Sequence, residues 1–590
     1  MRLVHFAKLK QSSVHSLAAF TRPAVRPSAL SSFSLSTRTT ADFPPPFVPV
    51  FGKIQDHLDN VAMVDALGTH SYSKLLKFSQ TIHSKLSRII NPREQTRISF
   101  LCPSDIRYVA TQWACWLGGN VAVPLYHQHP DSMLEYYIKD SQTTVLLTTE
   151  EYRGRIEQLG KCLSLPTVVV DGPLDEKPDT LEEKNWASCS NVVAVQDFLK
   201  DEDALMMYTS GTTGPPKGVV LSFGNIHFQV SQIRKAWEWV PGDVMLHALP
   251  LHHTHGIISG LLSPLYSRAT CLMLPKFDAA EVWKHLLHLD KNKPPVSIFM
   301  AVPTMYVKLI EHYEQHLRRN KETAPEVVKK VFAENIRFVI SGSASLPQPI
   351  FEKFQEITDM TILERYGMTE VGVPLSNALH GKRYPGCVGY PTTGVEVCIA
   401  DLDPGSDMGY KPLVIGTDEG SKFLQGPDRA SGELLIRGSN VFKYYWNKPQ
   451  VTQDSFTKDG WFKTGDSASC TEEGVYKILG RTSADIIKTG GYKVSALEVE
   501  RHLLAHPDIL ECTVVGAPDA TWGERVAALV VLKEPSATLE LAPLRAWCKE
   551  RMAPYCVPSI LLCVPALERN FLGKVNKKEL VKKTWPSPQK

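Results

Sequence analysis

From Ile98 onward the chain alternates short apolar runs with longer segments in which apolar residues recur every three or four positions. Ile98-Ser99-Phe100-Leu101 and Thr144-Val145-Leu146-Leu147 predict buried strands. Between them Tyr108 to Leu117, closed by Gly118-Gly119, predicts a helix. Thr167 to Val170, Ala204 to Tyr208, Ser297 to Met300 and Arg337 to Ile340 add further strands, and the alternation as a whole predicts an α/β fold with largely parallel sheets. The polar stretch 400–432, with Asp401, Asp403, Pro404 and Gly405, predicts a surface loop. Beyond Arg481 to Asp485 the texture changes. Leu497 to Leu504 and Leu544 to Met552 predict helices, Ile509 to Val515 and Val526 to Leu532 strands, which together make a small α+β unit with its own core. The expected layout is a leader over 1–41, a large domain of layered α/β subdomains over 42–482, and a small C-terminal α+β domain over 483–590.

Composition narrows this picture. At 43% hydrophobic and 22% charged, the 590 residues are globular, and the length suggests about four domains or subdomains. The net charge of +3 is unevenly placed: residues 1–41 hold Arg2, Lys8, Lys10, Arg22, Arg26 and Arg38 and no acid, which leaves the remainder at −3. That remainder has no electrostatic footprint for nucleic acid. The leader is Ser-rich, and Leu3, Phe6 and Ala7, then Val14, Leu17 and Ala18, fall at helical spacing beside Lys8 and Lys10. This is the pattern of a mitochondrial transit peptide and predicts the matrix as destination. No apolar run is long enough to span a bilayer; Ile257 to Pro275, the most apolar region, is broken by Pro264, Ser267 and Arg268 and predicts buried core. The twelve cysteines show no Cys-x-x-Cys pair and no zinc spacing, as expected of buried thiols.

The sharpest chemical signal is Tyr208-Thr209-Ser210-Gly211-Thr212-Thr213-Gly214-Pro215-Pro216-Lys217-Gly218, which follows a predicted strand. Gly211 and Gly214 let backbone N–H groups approach an anion, Thr209, Ser210, Thr212 and Thr213 supply hydroxyls, and Lys217 supplies a positive charge. These are the requirements for cradling a polyphosphate. The loop is not a Walker A motif, because Lys217 is followed by Gly218 rather than by Ser or Thr.

This segment resembles the signature of the adenylate-forming acyl-CoA synthetase (AMP-binding) superfamily, and the other motifs of that family follow in order. They are Pro250-Leu251-His252-His253-Thr254-His255-Gly256, Ser341-Gly342-Ser343-Ala344-Ser345-Leu346, Arg365-Tyr366-Gly367-Met368-Thr369-Glu370, Gly432-Glu433-Leu434, Trp461-Phe462-Lys463-Thr464-Gly465-Asp466, Gly480-Arg481 and Asn570 with Gly573-Lys574. The resemblance spans residues 50 to 585. It implies two half reactions, acyl-AMP formation from ATP and thioester formation with coenzyme A, served in turn by a mobile C-terminal domain. It places Thr209, Ser210, Gly211, Thr212, Thr213, Gly214 and Lys217 on the β- and γ-phosphates, Thr369 on the α-phosphate and Glu370 on Mg²⁺. Gly342, Ser343, Tyr366 and Gly367 fall to the adenine, and Asp466 and Arg481 to the ribose. Lys574 becomes the adenylation lysine, His253 joins it and Thr369 among the catalytic residues, and Gly490, Gly491 and Lys493 lie along the pantetheine path. The hinge segment departs from the family pattern: Thr482-Ser483-Ala484-Asp485 is one residue longer before the glycines, so either Ser483 or Asp485 is the pivot.

The acid is suggested by cations where fatty acids need none. Arg365 precedes the Tyr-Gly-x-Thr-Glu motif, Lys308 lies on a helix expected to line the acyl pocket, and His255 lies in the acyl motif. A buried cation is costly unless paired, and a substrate with a second carboxylate would pair it. An internal ion pair of Arg365 with Glu364 or another acid, and a solvated helix face for Lys308, are the structural alternatives. Leu363 to Glu370 and Pro250 to Gly256 closely resemble mitochondrial malonyl-CoA synthetases, which implies malonate, and methylmalonate through the weak discrimination of one methyl. A medium-chain fatty acid or aryl acid ligase is the alternative within the class. A nucleotide-binding or carrier-loading module is the alternative outside it. Oligomeric state is not legible.

Overall fold

The computed structural model describes residues 45–53, 57–91, 94–171, 199–209, 215–403, 405–426, 430–482, 484–489, 492–519, 521–569 and 575–586. The leader, Ser210 to Gly214, Ser483, Gly490, Gly491 and Lys574 lie outside the described residues.

Strands buried on both faces read as unbroken apolar runs, because helices cover both sides of a parallel sheet. Val121–Pro124, Val145–Thr148, Ile298–Ala301 and Phe338–Ser341 are buried at every position. Among the described residues two such sheets form. One has nine strands in the order Tyr390–Pro391, Gly372–Ser376, Leu363–Met368, Phe338–Ser341, Ile298–Ala301, Val244–His247, Thr270–Met273, Val61–Asp65, Gly68–Ser71. The other has seven, in the order Tyr444–Tyr445, Lys217–Ser222, Asp203–Thr209, Val121–Pro124, Arg97–Leu101, Val145–Thr148, Thr167–Val169. In both, the central pairings are parallel and antiparallel strands sit toward the edges.

Helix Ile106–Leu117 belongs to both bodies and shows why they share one core. Asp105 caps it by accepting the Arg107 N–H at 2.8 Å, and Asp65 of the nine-stranded sheet accepts the Ile106 N–H at 2.9 Å. From Tyr108 to Leu117 every residue is buried. Trp116 still satisfies its indole N–H on the Ala204 carbonyl, 2.7 Å away in the seven-stranded sheet. The same hydrophobic cluster runs through both sheets.

The expectation of a surface loop over 400–432 is corrected by the structure. A third sheet, antiparallel throughout, takes the order Gly420–Phe423, Tyr410–Thr417, Glu396–Leu402, Ser431–Arg437, Phe462–Cys470, Tyr476–Arg481. Tyr410, Leu413, Val414 and Gly416 are buried, while the acids and glycines that gave the segment its loop character sit mostly in the turns between strands. Averaging over the window hid a strand behind its turns.

The C-terminal unit has its own core of Ile487, Val499, Leu503, Val514, Val530 and Leu544. Gly523–Leu532 pairs with Ile509–Asp519, with Ile560–Cys563 and, at one position, with Ile486–Thr489. Its second helix runs over Leu541–Lys549, three residues earlier than the periodicity predicts; Pro543 is tolerated because a first turn lacks internal N–H partners. Among the polar contacts that tie this unit to the rest are Lys477 with Glu498 at 2.8 Å, and Arg501 Nη2 donating to Ser345 Oγ at 3.2 Å. Among the described residues no helix is long and apolar enough to cross a membrane.

Candidate active site

Strands Phe338–Ser341 and Leu363–Met368 are parallel neighbours, with Ser341 opposite Glu364. The segments that leave their C-terminal ends therefore emerge side by side, where open α/β sheets place ligands. This puts Gly342 and Ser343 against Arg365, Tyr366 and Gly367. The fit is tight: a Cβ on Gly342 would lie 2.6 Å from Cζ and Nε of Arg365, and one on Gly367 3.3 Å from its Nη1. The guanidinium occupies the space that a side chain at Gly342 would fill, and it also borders Gly367. Ser343 has φ +68°, uncommon for a residue with a side chain, and its hydroxyl meets Nδ1 of His255 at 3.2 Å. His255 begins a π-helical run, His255–Leu262, of the kind found inside functional sites. That run is pinned by His247, whose Nε2 lies 3.0 Å from the Gly256 carbonyl oxygen.

Arg365 is 4% exposed, and among the described residues neither its Nε nor its Nη2 finds a hydrogen-bond partner. Glu364 is no counter-ion, because its carboxylate faces the other way and accepts the Gly386 N–H at 2.6 Å. Burial with no compensating acid pulls the Arg365 guanidinium down to about 10. His255 is likewise buried with Nε2 unpartnered; burial first, and the nearby Arg365 charge second, hold it well below the usual imidazole range. The site thus presents one buried cation and one neutral imidazole, both short of partners. The alternative of an internal ion pair for Arg365 is not seen among the described residues.

Successive strand residues point to opposite sides. Tyr366, next to Arg365, sends its hydroxyl to Asp466 at 2.5 Å. Asp466 and Arg481 face each other across the antiparallel pair Phe462–Cys470 and Tyr476–Arg481, with Arg481 Nε 3.0 Å from the Asp466 carboxylate and Nη1 donating to the Thr464 carbonyl at 2.9 Å. On the third side, Thr209 and Lys217 pair across a hairpin whose connection is the predicted phosphate loop. Lys217 Nζ lies 4.2 Å from the ring centre of Tyr445, and the Tyr445 hydroxyl donates to Glu370 at 2.8 Å. Glu370 is buried in the turn between Leu363–Met368 and Gly372–Ser376, next to the half-buried Thr369. Burial raises its carboxyl, against the opposing pull of Tyr445, Arg481 and Lys217.

Thr209, Lys217, Gly342, Ser343, Arg365, Tyr366, Gly367, Thr369, Glu370, Asp466, Arg481 and His255 thus gather where the ends of three sheets meet. His253 lies at the exposed rim, its ring centre 3.9 Å from that of buried His252. Lys493 belongs to strand Tyr492–Ser495 of the C-terminal unit. Lys308 is a correction. Its side chain is 65% exposed and pairs with Glu311 at 2.7 Å, because the buried face of helix Pro303–His312 is made by Met305, Tyr306 and Leu309. It does not line the acyl pocket. The sequence reading also passed over Tyr445, whose place depends on its pairing with Val219 far upstream, and Thr464, whose hydroxyl accepts the Asp466 N–H at 3.0 Å.

Comparison with known proteins agrees with this geometry. The AMP-binding enzyme family model matches residues 51–446, and the AMP-binding enzyme C-terminal domain model matches 498–574. A mitochondrial malonate–CoA ligase of Mus musculus, ACSF3, is 45% identical over 556 residues, with 92% of each chain covered. The crystal structure of ATP-bound MatB from Rhodopseudomonas palustris superposes with a TM-score of 0.73 at 27% identity, covering 92% of this chain and 100% of that one. A malonyl-CoA ligase ternary product complex with methylmalonyl-CoA and AMP gives 0.57 at 29% identity, covering 87% and 97%. With both family models matched and a relative 45% identical over 92% of its length, the chain belongs to the AMP-binding enzyme family.

Proposed function

We propose that the chain is an ATP-dependent, AMP-forming malonate–CoA ligase that also takes methylmalonate and works in the mitochondrial matrix. The observation that carries the choice of acid is Arg365: a buried guanidinium without a counter-ion among the described residues is an expensive residue for a pocket that receives an alkyl chain, and a fitting one for a pocket that receives a second carboxylate. His255 and Ser343 complete the cradle from the side. Relatives named as mitochondrial malonate–CoA ligases and the acid-free leader support the compartment and the substrate.

In this reading Arg365 holds the distal carboxylate, so that the near carboxylate is turned toward the α-phosphate of ATP. A carboxylate oxygen forms the bond to phosphorus and pyrophosphate leaves. Thr209 and Lys217, with the loop between them, receive the leaving charge, and Lys574 bridges carboxylate and α-phosphate. Glu370 suits Mg²⁺ as a buried carboxylate, a hard oxygen ligand, oriented by the Tyr445 hydroxyl. Among the described residues no group of three acids, histidines or cysteines gathers as a metal nest; Glu370 would hold the ion, which would supply positive charge against the charge developing on the phosphates. Asp466, Arg481 and Tyr366 hold the nucleoside. After rotation of the C-terminal domain, Gly490-Gly491 admits the pantetheine arm, the CoA sulfur forms the bond to the acyl carbon, and AMP leaves.

A panel of malonate, methylmalonate, acetate, octanoate and coumarate, assayed for ATP- and CoA-dependent thioester, decides. Malonate is expected to lead. Octanoate or coumarate leading would establish the fatty or aryl acid ligase instead.

A further inference from the structure

The chain passes from the large domain to the C-terminal domain between Thr482 and Asp485. Thr482 belongs firmly to the first: its N–H donates to the Gly465 carbonyl at 2.9 Å, its hydroxyl donates to Glu433 at 3.0 Å, and Ser467 lies 2.9 Å away. Asp485 belongs to both. Its carbonyl accepts the Ala496 N–H of the C-terminal domain at 2.7 Å, while its own N–H donates to the Arg481 carbonyl at 2.7 Å. Its carboxylate is divided in the same way. One oxygen accepts the Arg481 N–H at 2.9 Å, and the other lies 2.5 Å from Nζ of Lys577. Lys577 also reaches Glu500 at 2.7 Å, and all three side chains are at least 85% buried. The fold makes room for this on purpose: Gly480 has φ +123°, and a Cβ there would lie 2.4 Å from Cβ of Asp485.

Lys577 stands three residues after Lys574, so covalent geometry alone keeps the two Cα atoms within about 11 Å. An ammonium buried between two carboxylates fixes its own backbone closely, and through it the chain that follows Lys574. We infer that Asp485 and Lys577 are positioning residues for the adenylation step, a clasp in which one carboxylate joins the hinge backbone at Arg481 to the segment carrying Lys574. Glu500 balances the charge of Lys577 within the C-terminal domain, while Asp485 alone fixes Lys577 to the hinge. This rests on the reading of Lys574 as the adenylation lysine.

The test uses the full-length enzyme and the best acid of the panel. Asp485→Asn keeps the shape of the side chain, and Glu500 still pairs Lys577, so the fold is retained. Two half reactions are measured: acid-dependent ATP–pyrophosphate exchange, and thioester formation from supplied acyl-adenylate and CoA. Asp485→Asn is expected to lower kcat of exchange by at least about tenfold, with the KM of ATP and acid within about twofold and the thioester step within about threefold. Glu500→Gln, which keeps the Asp485–Lys577 pair, is expected to hold exchange within about threefold. Equal loss of both half reactions in Asp485→Asn, no loss in either, or the same loss of exchange in Glu500→Gln would overturn the clasp while leaving the reading of Lys574 intact. Lys574→Ala serves as the control: it should abolish exchange and spare the thioester step, and exchange surviving in it would overturn the reading of Lys574 and the clasp together.

Discussion

Replacing Arg365 with methionine separates the cost of a buried cation from its use. The drop of its pKa from the ordinary guanidinium value to about 10 corresponds, at 1.36 kcal/mol per pH unit, to roughly 3 kcal/mol by which burial disfavours the charged form. A base whose folded-state pKa is depressed destabilises the fold fully below the folded value, and the penalty fades as pH rises above about 10 toward the ordinary guanidinium range. Between pH 6 and 9 the penalty is therefore constant. Arg365→Met removes it with a side chain of similar reach, so the acid-free protein should become more stable. With unfolding entropy of about 2.1 cal/mol/K per residue over a unit of roughly 430 residues, 3 kcal/mol raises Tm by up to about 3 °C, to the same extent at both pH values. Function should move the other way. Loss of one partner of a buried charge pair costs about 2–5 kcal/mol, a fall in kcat/KM for malonate of between about 30-fold and several thousandfold. Thermal melts with and without malonate, together with pyrophosphate-release kinetics, read both effects. The wild type should gain Tm on adding malonate, whereas the variant should start higher and gain none. A variant less stable than wild type, with unchanged malonate kinetics, would refute the reasoning.

Two further substitutions probe the same pocket from its edges. Gly342→Ala puts a methyl 2.6 Å from the Arg365 guanidinium and should raise the KM of malonate by about tenfold or more, well beyond its effect on the KM of ATP; equal effects on the two would mean that Gly342 serves the nucleotide alone. Lys308→Ala should leave kcat/KM for malonate within about twofold, since a solvated pair one helical turn apart is worth little; a larger fall in steady-state kinetics would return Lys308 to the pocket.

The convergence of the motif residues was legible because most of them stand in contiguous segments. Arg365 to Glu370 occupy one strand and one turn, and the Thr209-to-Lys217 loop closes a single hairpin. What the sequence hid depended on long-range register. Tyr445 gains its role only by pairing with Val219, which carries it beneath Lys217, and Lys577 meets Asp485 across more than ninety residues. The error at Lys308 was avoidable in principle. Met305, Tyr306 and Leu309 already define a buried stripe, and position 308 falls off it. The polar stretch 400–432 was misread for a different reason: the strand Tyr410–Thr417 is flanked on both sides by turns rich in Asp and Gly, which dominate the composition of the window.

The close approach of Gly342 to Arg365 makes the pocket a ruler. The guanidinium is pressed against Gly342, with less than van der Waals room for even a methyl there. In the proposed reading an acid is then measured between two marks, the buried charge at one end and the α-phosphate at the other. A longer diacid cannot be admitted by pushing the far mark back. Its extra carbons must bulge sideways, toward His255 and Ser343, so evolution or engineering toward longer diacids would be expected to change those two residues first and leave Arg365 in place.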